Sequence, residues 1–239
     1  MLYLRKDNKI VPEKKIIQEM FDSIAPGYDA FNHVTSLGID RRWRRKALKH
    51  IEGPKVLDIA CGTGDFAITI AEKKGFEVVG ADISAGMLEI MRGKVEKAGL
   101  QDRVTAVEGD CAALDFPDGS FDSVTVAFGV RNFEDRPRCL AEILRVLRPG
   151  GRFVMLELGV PKSRAVAAFY KFYFTRIMPL VGRKMSGNRG AYEYLPASVL
   201  RFPGPEEWMP VMENAGFRDV RHRALSLGIC RMYTGRKAL

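Results

Sequence analysis

The sequence predicts a doubly wound α/β fold, a mostly parallel seven-stranded sheet whose last strand runs antiparallel. Three observations predict it. From Lys55 onward, short apolar runs alternate with helical patterns, as parallel strands joined by crossover helices require. The first apolar run, Val56 to Asp65 (VLDIACGTGD), enters a turn with Gly62 and Gly64, and a helix begins near Asp65. About one strand–helix unit later, a second run ends in Asp82.

The 239 residues, 46% of them hydrophobic, suffice for one domain with a large core. Residues 1–15 are charged and read as a frayed end, and Ile16–Phe21 opens a helical pattern that stops near Pro26. Tyr28–Gly38 reads as polar and turn-rich, and Arg41–His50 as a basic helix. Residues 1–50 thus form an N-terminal helical cap and 55–158 a cofactor-binding core. Strands are expected at 55–60, 76–81, 103–108, 121–127 and 151–158, with helices at 65–74, 84–98 and 135–147. Gly75 and Gly99 stand where helices should end, and Pro149-Gly150-Gly151 calls for a turn before the fifth strand. The rhythm then breaks. Residues 160–208 form an aromatic lid insertion with helices over 165–182 and 187–202, and 209–239 return to the sheet. There a helix over 206–215 leads to a closing hairpin of strands at 217–224 and 229–235.

The net charge of +9 is compatible with nucleic acid, an anionic membrane surface, an acidic substrate, or simply a basic protein surface. Four widely spaced cysteines and three scattered histidines argue against a zinc site and a disulfide scaffold, and fit a reducing cytoplasm. The first residues lack the apolar core of a signal peptide, and no run of 18 apolar residues occurs.

The glycine turn and Asp82 point to a nucleoside-containing cofactor, an acid at that spacing suiting ribose hydroxyls. Gly62-Thr63-Gly64-Asp65-Phe66-Ala67 also satisfies the dinucleotide pattern. Asp58, however, would repel a pyrophosphate at the tip of the first core strand and would favour an ammonium or sulfonium. Asp110 after Glu108-Gly109 offers an acceptor to an exocyclic amine.

In order, VLDIACGTGD, ADIS, EGD, FDSVTV and LRPGG resemble the class I S-adenosyl-L-methionine-dependent methyltransferases, with Ala60 where a glycine is usual. The resemblance places Asp58 and the Gly62-Thr63-Gly64 turn near the methionine part, Asp82 on the ribose, and Asp110 and Cys111 beside the adenine. YDAFNHVTSLGIDRRW (Tyr28–Trp43), AFGVRNFED (Ala127–Asp135) and Leu156-Glu157 are similar to the UbiE/MenG-type C-methyltransferases of ubiquinone and menaquinone biosynthesis. Departures are Phe31 for Met, Asp40 for His, Arg148 for Lys, Gly159 for Ser, and Ala127 for a Ser near the cofactor. That resemblance implies S-adenosyl-L-methionine as cofactor and C-methylation of a polyprenylated quinol. The acceptor would be demethylmenaquinol or a methoxy-polyprenyl benzoquinol.

Arg131 and Asn132 follow the fourth core strand, where substrate meets cofactor in an open α/β sheet. Arg131 can stabilise a quinolate oxyanion, Asn132 can bond a ring oxygen, and His33 is the natural acid–base group. Tyr28 would cover the methionine end of the cofactor. Phe169, Tyr170, Phe172, Tyr173, Phe174, Ile177 and Met178, with Lys171, Arg176, Arg183 and Lys184, suit a lid or peripheral contact with the inner face of a membrane through 165–184. A homodimer stays open. Methylation of RNA is the competing reading, although no appended RNA-binding motif accompanies the charge, so no specific nucleic acid is expected.

Overall fold

The computed structural model describes residues 3–6, 9–177 and 189–239. The chain opens with a ribbon of β1 (Tyr3–Lys6) and β2 (Lys9–Pro12), paired antiparallel with Tyr3 opposite Pro12. This corrects the expectation of a frayed end: main-chain pairing needs no apolar pattern. Three helices follow, α1 (Lys14–Ile24), α2 (Tyr28–Ser36) and α3 (Ile39–Ala47).

Helix α2 replaces the expected turn-rich segment. Phe31 is buried in it, and its polar residues face neighbouring helices and a cavity, so they did not mark a loop. Leu37 (φ 52°) and Gly38 (φ 71°), both left-handed, end it sharply.

The sheet comprises β3 (Lys55–Ile59), β4 (Glu77–Asp82), β5 (Val104–Glu108), β6 (Phe121–Ala127), β7 (Leu147–Leu158), β8 (Arg218–Leu225) and β9 (Cys230–Arg236). Their order is β5-β4-β3-β6-β7-β9-β8. β9 is antiparallel to both of its neighbours, and β3 to β7 are parallel, as the sequence predicts. Side chains alternate across the sheet. Leu57, Ile59, Val124, Val126, Phe153 and Met155 join one core layer with α6 (Arg136–Val146). Val56, Val78, Val154 and Leu156 join the other with α4 (Asp65–Lys74) and α5 (Ala85–Lys97).

Local signals set the helix starts. Gly64 (φ 81°) turns the chain into α4, the Ser84 hydroxyl accepts from Met87 N at 3.2 Å, and Asp135 accepts from Arg138 N at 3.1 Å. The Pro149–Gly151 segment departs from expectation. β7 starts at Leu147 and carries this segment as a bulge, with the pairing slipping between Phe121 and Ser123. A Cβ at Gly151 would lie 2.9 Å from Arg148 O, so the bulge requires glycine there.

In the insertion, α7 (Arg164–Phe172) runs into a π-helical turn (Tyr173–Ile177), and α8 (Arg189–Arg201) follows. The expected features over 178–188, with Met178, Arg183 and Lys184, lie outside the described residues. α9 (Pro205–Asn214) packs Trp208 and Met212 into the first core layer.

Candidate functional site

Two cavities meet at the carboxyl ends of the parallel strands. The first, about 250 Å³, is lined by Tyr28, Gly62, Asp82, Asp110, Cys111, Ala127 and Asn132 among others. The second, about 430 Å³, lies under the helical cap and lid. Its walls include Phe31, Trp43, Arg44, Leu158, Val166, Phe169, Tyr170 and Ile229, with Arg131. Phe21, Tyr28 and Phe128 line both.

The glycine turn is built around Asp82. Gly62 N donates to its Oδ2 at 2.8 Å and Ser84 N to its Oδ1 at 2.9 Å. Burial nevertheless holds the Asp82 carboxyl above its ordinary range. Ala60 (φ 52°) occupies a left-handed position, which explains why glycine is usual there.

Asp58 lines neither cavity: it is 1% exposed and accepts from the Thr125 hydroxyl at 2.6 Å. Its second oxygen has no hydrogen-bond partner. Burial pushes its pKa up to about 7, against the Thr125 hydrogen bond. At the far wall Asp110 takes a 2.8 Å bond from Lys14 Nζ. Burial alone would raise Asp110, but Lys14 and the Ala112 N–H hold it below its ordinary value. The Cys111 thiol points away toward Cys139 O, and burial raises its pKa.

Thr63 and Gly64 line neither cavity. The Thr63 hydroxyl bonds Asp29, and Lys94 bridges Asp29, Thr63 and Asp65, tying α2 to α4 and α5. Gly64 leaves no room for a side chain: an added Cβ would meet Met91 Cγ at 2.5 Å.

His33 also lines neither cavity. On α2, successive side chains point about 100° apart. Tyr28, Asn32 and Thr35 therefore face the second cavity. His33 lies beside Asp40 and Asp65, with Nδ1 3.6 Å from Asp40 and Nε2 4.0 Å from Asp65. Asp40, where histidine is often found, is buried against Ser36 and Arg44.

Arg131 is 7% exposed on the wall of the second cavity. Its Nη1 donates to Glu157 Oε1 at 2.9 Å and to Phe128 O, while Nε has no partner. Burial would lower its pKa, but Glu157 and two nearby tyrosines, Tyr28 and Tyr194, outweigh that and raise it. Asn132 Oδ1 accepts from Tyr194 OH at 2.9 Å.

Sequence reasoning missed Lys14, Asp22, Glu157 and Tyr194. Asp22 on α1 accepts from Ser84 Oγ and Gly86 N, latching the cap onto α5. Glu157 had one legible signal, a lone acid within the otherwise apolar run Phe153–Leu158.

A seven-stranded sheet in this order, with its reversed last strand, is the architecture of the class I S-adenosyl-L-methionine-dependent methyltransferases. The chain belongs to the ubiE/COQ5 methyltransferase family, whose model matches residues 8–237. It is 48% identical to a Geobacter sulfurreducens protein named ubiquinone/menaquinone biosynthesis C-methyltransferase UbiE, over 98% of this chain and 95% of that one. It is 50% identical to a demethylmenaquinone methyltransferase of Deinococcus radiodurans, over 92% of each chain. Among solved structures, the cyclase SpnF superposes with a TM-score of 0.75 at 18% identity, covering 96% of this chain and 98% of that one. That is a likeness of fold alone.

Proposed function

We propose that this chain methylates a ring carbon of a polyprenylated quinol, converting demethylmenaquinol to menaquinol with S-adenosyl-L-methionine as donor. The observation that carries this reading is the pair of adjoining cavities that share Tyr28, Phe21 and Phe128. One is edged by carboxylates and the other is walled by aromatic and aliphatic side chains. The chemistry of the first suits the cofactor. Asp82 at the strand tip suits a ribose and Asp110 an adenine amine, while the buried Asp58 carboxyl adds negative charge behind the wall that Ile59 and Ala60 form.

When bound, S-adenosyl-L-methionine supplies a methyl on a cationic sulfur, which the ring carbon accepts as it loses its proton. Arg131 steadies negative charge on the ring oxygen through the guanidinium donors that Glu157 and Phe128 O leave open. Asn132, fixed by Tyr194, lines the first cavity and not the second, so its amide N–H is open to the cofactor side rather than to the ring oxygen expected from the sequence. Tyr28 forms the wall between the cavities and holds donor and acceptor in line. Because His33 lies outside both cavities, the proton leaves to water rather than to its imidazole.

Purified protein with methyl-labelled S-adenosyl-L-methionine tests this reading against reduced demethylmenaquinone and a methoxy-polyprenyl benzoquinol in parallel. Incorporation into the naphthoquinol supports it. Incorporation into RNA, and into neither quinol, overturns it.

The Asp58 pKa gives a pH prediction. Near pH 7 the folded protein still holds a proton that the unfolded chain has already released. The group therefore costs stability as pH rises from about 4 to about 7. A cationic ligand offsets that cost only when Asp58 is ionised. Affinity for S-adenosyl-L-methionine should therefore rise through pH 6–8 by up to about tenfold per unit below 7. Calorimetry across this range checks it, and Asp58→Asn should flatten the profile.

No described helix is long and apolar enough to cross a membrane. Peripheral contact is part of our reading, because exposed Leu37 and Phe169 line the second cavity and exposed Phe172 and Leu227 adjoin its lining residues Tyr173 and Ser226 in the chain. Leu37 is 84% exposed, Phe169 69%, Phe172 56% and Leu227 75%. Leu37 and Leu227 hold left-handed backbone (φ 52° and 59°), and Arg41, Arg42 and Arg45 on α3 and Lys171 on α7 are exposed. Phe172→Ser and Leu227→Ser should each weaken binding to phosphatidylglycerol vesicles by about tenfold in co-sedimentation. Methylation of a quinol with one isoprene unit should change less than twofold. Undiminished vesicle binding would contradict this face.

A further inference from the structure

The methyl-transfer reading gives the buried acid Glu157 no role of its own. Glu157 lies at the end of β7, 0% exposed. β7 pairs with β6 so that Leu156 stands opposite Ala127, and Phe128 N donates to Leu156 O at 2.8 Å. This register sets Glu157 beside the loop that leaves β6 toward Arg131. Both carboxylate oxygens are used. Oε2 accepts the Arg131 backbone N–H at 3.0 Å. Oε1 accepts Arg131 Nη1 and Leu158 N, each at 2.9 Å. One acid thus grips a single arginine by main chain and side chain at once.

We infer that Glu157 is the positioning residue for Arg131, fixing its guanidinium in the wall of the second cavity. This rests on the reading that Arg131 meets the quinol oxygen. Glu157 lines neither cavity and so touches neither the ring nor the cofactor; it acts through the arginine alone. A buried acid is expensive to desolvate unless it is fully paired, and here three N–H groups pair it. A freely rotating arginine on an apolar wall would have to be ordered in each turnover. An arginine held beforehand needs no such reorganisation.

A double-mutant cycle tests the inference. Glu157→Gln should lower kcat at least tenfold, with the KM for quinol and the Kd for S-adenosylhomocysteine within about twofold of wild type. In an Arg131→Lys background, Glu157→Gln should lower kcat no further. Multiplying effects, or an unchanged kcat in Glu157→Gln, overturn the inference. If Arg131→Ala keeps full turnover, the reading beneath it falls as well. Full loss in Arg131→Ala with none in Glu157→Gln removes this inference alone.

Should Glu157→Gln fail to fold, wild-type protein still decides the matter. Arginine-selective ¹⁵N spectra, with Arg131→Lys for assignment, should show a rigid Arg131 Nε–H in the cofactor-free protein. A rapidly averaging Arg131 signal overturns the inference.

Discussion

Replacing Arg131 with alanine is expected to cut turnover by about 10²–10³-fold, the usual consequence of removing one fixed donor that stabilises developing negative charge. The affinity for S-adenosylhomocysteine should stay within about twofold, because Arg131 faces the second cavity and not the first. The same substitution leaves Glu157, which is 0% exposed, without its cationic partner. Breaking a buried pair in this way costs about 3–5 kcal/mol of stability, visible as a lowered melting temperature. Turnover should therefore be measured well below that transition. Arg131→Lys keeps the charge but loses the planar fork, so it should fall between alanine and wild type. Equal losses in turnover and cofactor affinity would refute this assignment.

The opposite signature is expected of Asp82→Ala. A carboxylate at this position can accept from both ribose hydroxyls while it holds Gly62 N and Ser84 N. Two charge-assisted hydrogen bonds at about 1.5–3 kcal/mol each imply an affinity loss of about 10²–10³-fold or more for S-adenosylhomocysteine, measured by calorimetry. Turnover at saturating cofactor should change far less, because the second cavity does not include Asp82. Asp82→Asn keeps one acceptor and should lose less. An unchanged Kd in Asp82→Ala would remove Asp82 from the cofactor site.

Much of the core was legible because its signals agree. β3, β4 and β6 each combine an apolar run with a following helix, and Gly75 and Gly99 mark where the first two of those helices stop. The start of β7 was not legible, since Pro149-Gly150 reads as a turn and a bulge tolerates both residues. Helix α2 was hidden for a different reason. Asp29, Asn32 and His33 look like loop residues, yet they face Thr63, the second cavity and Asp65 respectively. Their surroundings come from distant chain, which local patterning does not encode.

The site divides in the same way. Gly62, Asp82 and Asp110 stand at strand tips, where an open α/β sheet places its ligand, and they line the first cavity. The ties that hold the cap over it span large separations. Lys14 reaches Asp110, 96 residues on, and Asp22 reaches Ser84, 62 residues on. His33 has the chemistry of an acid–base group, but the helical turn directs it toward Asp40 and Asp65, away from both cavities. Thr63 was chosen as part of the glycine turn, but its hydroxyl serves the Asp29–Lys94 network instead.

The central claim is that a methyl group crosses from the carboxylate-edged cavity to a quinol carbon in the aromatic one. The most direct measurement is a rapid-quench single turnover with ¹³C-methyl S-adenosyl-L-methionine and demethylmenaquinol, the product being read by NMR. A ¹³C methyl on the naphthoquinol ring carbon is the predicted result. Label on a ring oxygen, or no label on the quinol while the donor is consumed, would contradict it.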